Sequence, residues 1–191
     1  MKQIPRSYYL AQLGVWRDKQ IIKVITGIRR SGKSTLMQQY QQQLISLGVK
    51  SEQIQTYNFE DLANEPLQDY RKLYAHVSQH LLPDEQNYLF FDEIQMVGEY
   101  QRAIDSLFLR PNVDIYLTGS NAYLLSSEIA TLLSGRYIEI RLLPLSFNEY
   151  CYQSTLSAEE NYRRYLSLTS FPYGLQLPDA EAVRGYLEGL F

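Results

Sequence analysis

A chain of 191 residues with 45% hydrophobic residues is long enough for one domain with a real core, or one domain and a small appendage, and falls outside the disordered class. A formal charge of −3 excludes a broad basic face for nucleic acid, though not a local one, and a single cysteine, Cys151, excludes an internal disulfide and suits a reducing cytoplasm. No apolar run approaches the roughly 18 residues of a membrane span, and the end bearing Lys2 and Arg6 lacks the apolar stretch of a signal peptide, so the expected location is cytoplasmic, with no membrane partner.

Pro5 opens a short amphipathic helix over residues 5–16, with Tyr8, Tyr9, Leu10, Leu13 and Trp16 at helical spacing. Arg17-Asp18-Lys19 is a charged turn. The β-branched run Ile21-Ile22-Lys23-Val24-Ile25 then predicts a buried strand.

Directly after it stands Gly27-Ile28-Arg29-Arg30-Ser31-Gly32-Lys33-Ser34-Thr35, which fits G-x-x-x-x-G-K-[ST], the phosphate-binding loop of Walker A type. Gly27 and Gly32 allow turns that point successive N–H groups into one concavity, with Arg30 and Ser31 on the same loop. Lys33 brings a positive charge to the β- and γ-phosphates, and the Ser34 hydroxyl offers one ligand to Mg²⁺. Thr35 opens a helix whose positive dipole end faces the anion. Leu36, Met37, Tyr40, Leu44 and Leu47 continue at helical spacing, so the order strand, loop, helix supports the motif. The glutamines at 38, 39, 41, 42 and 43 read as a solvated outer face, and Gly48 as the C-cap.

Residues 54–59 alternate and predict a second strand, and Glu60-Asp61 at its end either faces the ligand or caps the next helix. That helix is expected over 66–82. It carries His76 and His80 one turn apart, a pair with no further metal-ligand context. Tyr88-Leu89-Phe90-Phe91-Asp92-Glu93 is an apolar strand running into two acids, the Walker B pattern. Asp92 is the expected Mg²⁺ ligand and Glu93 the general base that polarises water, with Gln95 near enough to orient water or substrate. A helix over 99–109 leads to a strand from Val113 that ends in Thr118-Gly119-Ser120. Thr118, Ser120 and Asn121 compete as the hydroxyl or amide that senses the γ-phosphate or the water, a reading preferred to Ser120 or Asn121 serving as a helix cap. Tyr137–Leu142 is the fifth strand. Arg136 just before it reads either as an arginine finger or as a surface ion pair. Beyond Phe147 the pattern is helical, broken at Phe171-Pro172-Tyr173-Gly174. The last helix, from Ala182, still shows an apolar face at Phe191, as in a chain cut short. The 17 tyrosines read as half-buried positions with wet hydroxyls rather than as a stacking platform.

At these residues the sequence resembles the bacterial and archaeal AAA-type ATPases, relatives of the AAA+ and STAND groups whose C-terminal half is a domain of unknown function. The resemblance rests on Val24–Thr35, Phe90–Gln95, Leu117–Asn121, Leu133–Tyr137, Leu143–Phe147 and Phe171–Gly174, and covers nearly the whole chain. It implies an additional-strand P-loop fold, with the Walker B strand between the phosphate-loop strand and its neighbour in sequence. It implies ATP with Mg²⁺, and Glu93 as catalytic base. It also makes Arg136, in the family's Gly-Arg-Tyr stretch, the finger candidate, acting in cis, in trans or not at all. Members normally run on well beyond this length, so the resemblance covers the ATPase half only.

The expected fold is α/β: a parallel five-stranded sheet flanked by helices, with a P-loop ATPase domain over 1–148 and the start of a helical lid over 149–191. The first expectation for function is Mg²⁺-dependent ATP hydrolysis, completed by self-association or by a C-terminal partner domain. The second is a nucleotide-gated switch with little turnover. A small-substrate kinase ranks below both, because Glu93 after Asp92 favours water as nucleophile. Adenine is preferred by resemblance alone, and no Asn-Lys-x-Asp signature for guanine is present. DNA stays open as a partner without positive support, since Arg71-Lys72 and Arg163-Arg164 are small pairs typical of a solvated face.

Overall fold

The computed structural model describes residues 3–119, 133 and 135–189. Five strands form one sheet: β1 (Ile22–Thr26), β2 (Ile54–Asn58), β3 (Asn87–Asp92), β4 (Val113–Thr118) and β5 (Tyr137–Arg141), in the order β2-β3-β4-β1-β5 with every neighbouring pair parallel. The three central strands β1, β3 and β4 are buried along their whole length, whereas edge strands β2 and β5 are only partly buried. That is why the central strands read as largely apolar runs, interrupted in β1 and β4 by Lys23 and Asp114: helices cover both faces of a parallel sheet.

Period-2 alternation sorts the same strands into two cores. Leu89 and Phe91 of β3 join Val24, Ile115 and Leu117 on one face, against α3 (Tyr70–Gln79) and α4 (Tyr100–Phe108). Tyr88 and Phe90 join Ile25, Tyr116 and Ile140 on the other, against α1 (Ser7–Val15) and α2 (Lys33–Ser46). The rings of Phe90 and Tyr116 stack at 4.6 Å in this second core. Tyr40, Tyr88 and Tyr116 are buried, so much of the tyrosine content is packing area with a polar tip.

At the amino ends of the strands, Lys23 and Asp114 form a fully buried ion pair. Burial pushes the Lys23 ammonium down and the Asp114 carboxyl up from their ordinary values, each opposed by its partner. The Asp18 N–H at 3.0 Å and the Tyr116 hydroxyl at 2.8 Å satisfy the second Asp114 oxygen.

Local structure departs from the sequence expectation before α3 and at Gln39, while α2 ends at Gly48 as expected. The helix expected over 66–82 is split: a 3₁₀ segment, Leu62–Leu67, contains Pro66, and α3 begins only after Asp69, whose carboxylate accepts from the N–H groups of Arg71 and Lys72. Gln39 is not on a solvated face. It is buried, and its amide spans the backbone of the amino-terminal arm, accepting from Arg6 N–H at 3.1 Å and donating to the Ile4 carbonyl at 2.7 Å. Gly48 (φ 94°) follows the cap residue Leu47, and Val49 N–H returns to the Leu44 carbonyl at 3.1 Å, closing α2 as a Schellman motif. After β5 come α5 (Phe147–Tyr150), α6 (Ala158–Ser167) and α7 (Ala180–Glu188), with the 3₁₀ turn Pro172–Gln176 before α7. The boundary expected between residues 148 and 149 falls inside α5.

Candidate functional site

In a parallel sheet all strand carboxyl ends lie on one side, and there the connecting loops can converge on a ligand. The glycine-rich loop after β1 and the two acids after β3 are placed at that edge. β1 ends at Thr26 and turns through Gly27 (φ 153°), Arg30 (φ 64°) and Gly32 (φ 98°) into α2. A Cβ on Gly27 would overlap the Leu142 carbonyl oxygen and approach Ser31 Oγ to 2.9 Å, so the loop tolerates no side chain there. The Ser31 hydroxyl is buried and without a hydrogen-bond partner among the described residues. Lys33 is 7% exposed; its ammonium donates to the Gly27 carbonyl at 3.3 Å and lies 3.7 Å from the Glu93 carboxylate. Ser34, the next residue, is exposed.

β3 delivers Asp92 and Glu93 to the same edge. Asp92 is buried and accepts a hydrogen bond from the Thr118 hydroxyl. The same hydroxyl oxygen accepts from Glu93 N–H at 3.0 Å. Thr118 reaches both because β4 lies between β3 and β1, with Phe91 level with Leu117 and Ile25 level with Thr118. Glu93 has φ 53° and ψ 48°, a left-handed backbone that costs a non-glycine residue, and its N–H bond to Thr118 holds it there. The Glu93 side chain is also engaged by Gln95, whose amide donates at 2.5 Å.

Gly32, Lys33, Ser34, Thr35 and Glu93 border a cleft of about 600 Å³, which also meets Arg29, Arg30 and Glu60 and is bounded by Pro172, Tyr173 and Gln176 from the carboxyl-terminal segment. Asp61, by contrast, caps the 3₁₀ turn by accepting from Ala63 N–H at 2.9 Å. The two acids after β2 therefore divide between the two roles expected for them. A smaller pocket of about 190 Å³ opens beside the loop, between Ile4, Arg6, Thr35, Leu145, Pro172 and Gln176.

With this geometry in place, comparison with known proteins is decisive. The model of the family described as AAA domain matches residues 19–151. The chain belongs to the AAA domain family. It is 39% identical over 195 residues to an uncharacterized protein of Haemophilus influenzae, covering 98% of this chain and 48% of that protein. It is 31% identical over 188 residues to an uncharacterized protein of Methanocaldococcus jannaschii, covering 89% of this chain and 41% of that one. The chain thus spans less than half the length of the curated relatives it matches. Among solved structures, a Walker-type ATPase of Pyrococcus abyssi superposes with a TM-score of 0.62 at 16% identity, covering 98% of this chain and 74% of that chain, a likeness of fold.

The strand order of this AAA domain agrees with the arrangement the resemblance implied: β3 lies between β1 and β2, with β4 inserted beside β1. Gly27, Arg30, Ser31, Gly32, Lys33, Ser34, Thr35, Asp92 and Glu93 all come together at one edge. Ser120 and Asn121 lie outside the described residues, and Thr118, the third contender, is the one seen between Asp92 and Glu93. Arg136 is not brought to this edge. Its carbonyl accepts from Ile22 N–H at 2.8 Å at the amino end of β1, and its guanidinium pairs with Asp105 beside the Phe108 ring. The length of β1, about 13 Å at 3.3 Å per residue, separates the Arg136 backbone from the loop.

The His76 and His80 rings lie 4.5 Å apart, tilted at 41°, with His80 Nδ1 2.7 Å from the His76 carbonyl, and among the described residues no cluster of three metal-ligating side chains exists. Sequence reasoning missed Arg6, which sits well upstream of any motif, and the glutamine that anchors its segment. The one available signal was that Gln39 falls on the same helical stripe as Leu36 and Tyr40. No described helix is long and apolar enough to cross a membrane.

Proposed function

We propose that this AAA domain binds ATP with Mg²⁺ in the cleft and hydrolyses the β–γ bond. The observation that carries the reading is the convergence of Lys33, Asp92, Glu93 and Thr118 on one strand edge beside a glycine turn with no room for a Cβ. The residues fit the ligands: N–H groups at the start of α2 and Lys33 suit phosphate, and the Asp92 carboxylate with the Ser34 hydroxyl is a hard oxygen set suited to Mg²⁺. Bound Mg²⁺ would supply charge neutralisation at the phosphates.

The protein's own contributions follow from its contacts. Lys33 leaves Glu93 and neutralises phosphate charge. Glu93, so released, accepts a proton from the attacking water, a role typically worth 10²–10⁴-fold. Thr118 holds Asp92 and the Glu93 backbone in fixed relation, which is the positioning that phosphoryl transfer requires. The sheet and its flanking helices through β5 would be the ATPase unit, and Pro172, Tyr173 and Gln176, which border the cleft, would belong to a lid. The free cysteine accords with a cytoplasmic protein.

A second reading has its own support. The Lys33–Glu93 contact at 3.7 Å and the Gln95–Glu93 bond hold the base in a self-satisfied arrangement, which fits a nucleotide-gated switch with little intrinsic turnover. Arg136, distant from its own loop, would then act on the cleft of a second copy and add its charge only on association. Calorimetric titration of ATP with and without Mg²⁺, in the native chain and in Lys33→Ala and Asp92→Asn, tests the shared first step. The expected result is tight Mg²⁺-dependent binding to the native chain, at least about tenfold weaker binding to Lys33→Ala, and lost Mg²⁺ dependence in Asp92→Asn. Equal titrations in all three would refute it.

A further inference from the structure

Among the described residues, the most densely engaged cation lies outside every motif. Arg6 is 3% exposed, 25 residues before Ser31. Its Nη1 donates to the Ser31 carbonyl at 3.3 Å and its Nη2 to the Leu143 carbonyl, just past β5, at 2.5 Å. Its Nε lies 2.9 Å from the Glu149 carboxylate on α5, and its guanidinium plane covers the Tyr9 ring at 5.0 Å. Gln39 fixes the backbone on either side of it to α2.

The Ser31 carbonyl shares a peptide with the Gly32 N–H. In a planar trans peptide the two point in opposite directions, so whatever holds the carbonyl also aims the N–H. That peptide is otherwise easy to turn over, because Gly32, at φ 98°, accepts conformations closed to other residues. Turned over, it would present a carbonyl oxygen to an anion in place of a donor. From this we infer that Arg6 is a positioning residue of the phosphate loop. It draws the Ser31 carbonyl into the protein, away from the cleft that Gly32 lines, and so fixes the Gly32 N–H as a phosphate donor. A planar fork suits the task, since one guanidinium reaches two carbonyls and a carboxylate at once. Through Glu149 the same group ties the loop to the carboxyl-terminal helices.

The inference rests on the proposed nucleotide reading, and the test separates the two. ADP and AMP affinities are measured by competition on the native chain and on Arg6→Met, Arg6→Lys and Glu149→Gln, with thermal unfolding alongside. A misaimed loop donor weakens ADP more than AMP, whereas a general loss of structure weakens both. Arg6→Met should lower the ADP-over-AMP preference by at least about tenfold. Arg6→Lys keeps the charge for Glu149 but cannot span both carbonyls, and should lower the preference about threefold to tenfold while remaining folded, which decides the matter should Arg6→Met not fold. Glu149→Gln breaks the ion pair without touching Ser31 and should leave ADP affinity within about threefold. An unchanged preference in Arg6→Met or Arg6→Lys overturns the inference alone. A native chain that binds no ADP overturns the nucleotide reading, and the inference with it.

Discussion

Thr118→Val is the sharpest perturbation the site allows. Valine matches threonine in shape and fits a β-strand, so packing inside the fully buried β4 is kept and only the hydroxyl is removed. Two hydrogen bonds go with it: the donation to Asp92 and the acceptance from Glu93 N–H. A bond to an ionised carboxylate is worth about 1.5–3 kcal/mol, and an orphaned partly buried N–H costs about 1–3 kcal/mol. The two share one oxygen and do not add in full, so the expected loss is about 2–4 kcal/mol. For a domain of this size that is a fall of roughly 5–15 °C in melting temperature, and Thr118→Ser should recover most of it. Because the N–H bond also holds Glu93 in its left-handed backbone, the valine variant should lose ATP turnover by about tenfold or more while still binding ATP. Urea unfolding with steady-state turnover on both variants measures the two effects. A Thr118→Val chain as stable and as active as the native one would refute the role given to this hydroxyl.

Three further outcomes are expected. Gly27→Ala should abolish ATP binding by calorimetry, because its Cβ overlaps the Leu142 carbonyl at a backbone φ that disfavours alanine. Asp114→Asn leaves Lys23 buried without its carboxylate and should cost about 3–5 kcal/mol in denaturant unfolding, whereas replacing Lys23 and Asp114 together by Met and Leu should cost far less. Arg136→Ala should leave ATP affinity unchanged and remove any rise of specific activity with protein concentration, because its guanidinium sits at the sheet edge away from its own cleft.

The candidate site was legible where chemistry demands particular residue types in a row. The loop Gly27–Thr35 and the apolar strand ending in Asp92-Glu93 announce themselves because glycine, lysine and carboxylates have few substitutes there. Central strands were legible because burial on both faces imposes largely apolar runs on β1, β3 and β4. What stayed hidden depends on contacts between distant segments. The position of Arg136 follows from which end of β5 it adjoins, and the role of Thr118 from β4 lying beside both β1 and β3, neither of which a linear pattern encodes. Gln39 was read as surface because polar side chains usually are, and Arg6 was given no role; their burial is stabilised by carbonyl and carboxylate partners 25 and more residues away. The helix boundary before α3 was misplaced because the apolar spacing continues through Pro66 and Leu67, and the Asp69 cap, not periodicity, sets the start.

The most direct measurement of the central claim is Mg²⁺-dependent ATP turnover per chain across a wide range of protein concentration, with Glu93→Gln in parallel. The account predicts phosphate release by the native chain, rising per molecule as concentration brings a second copy's Arg136 to the cleft, and a loss of about 10²–10⁴-fold in Glu93→Gln with ATP binding retained. Turnover that stays negligible at every concentration, or that survives intact in Glu93→Gln, would contradict the assignment of hydrolysis to this site.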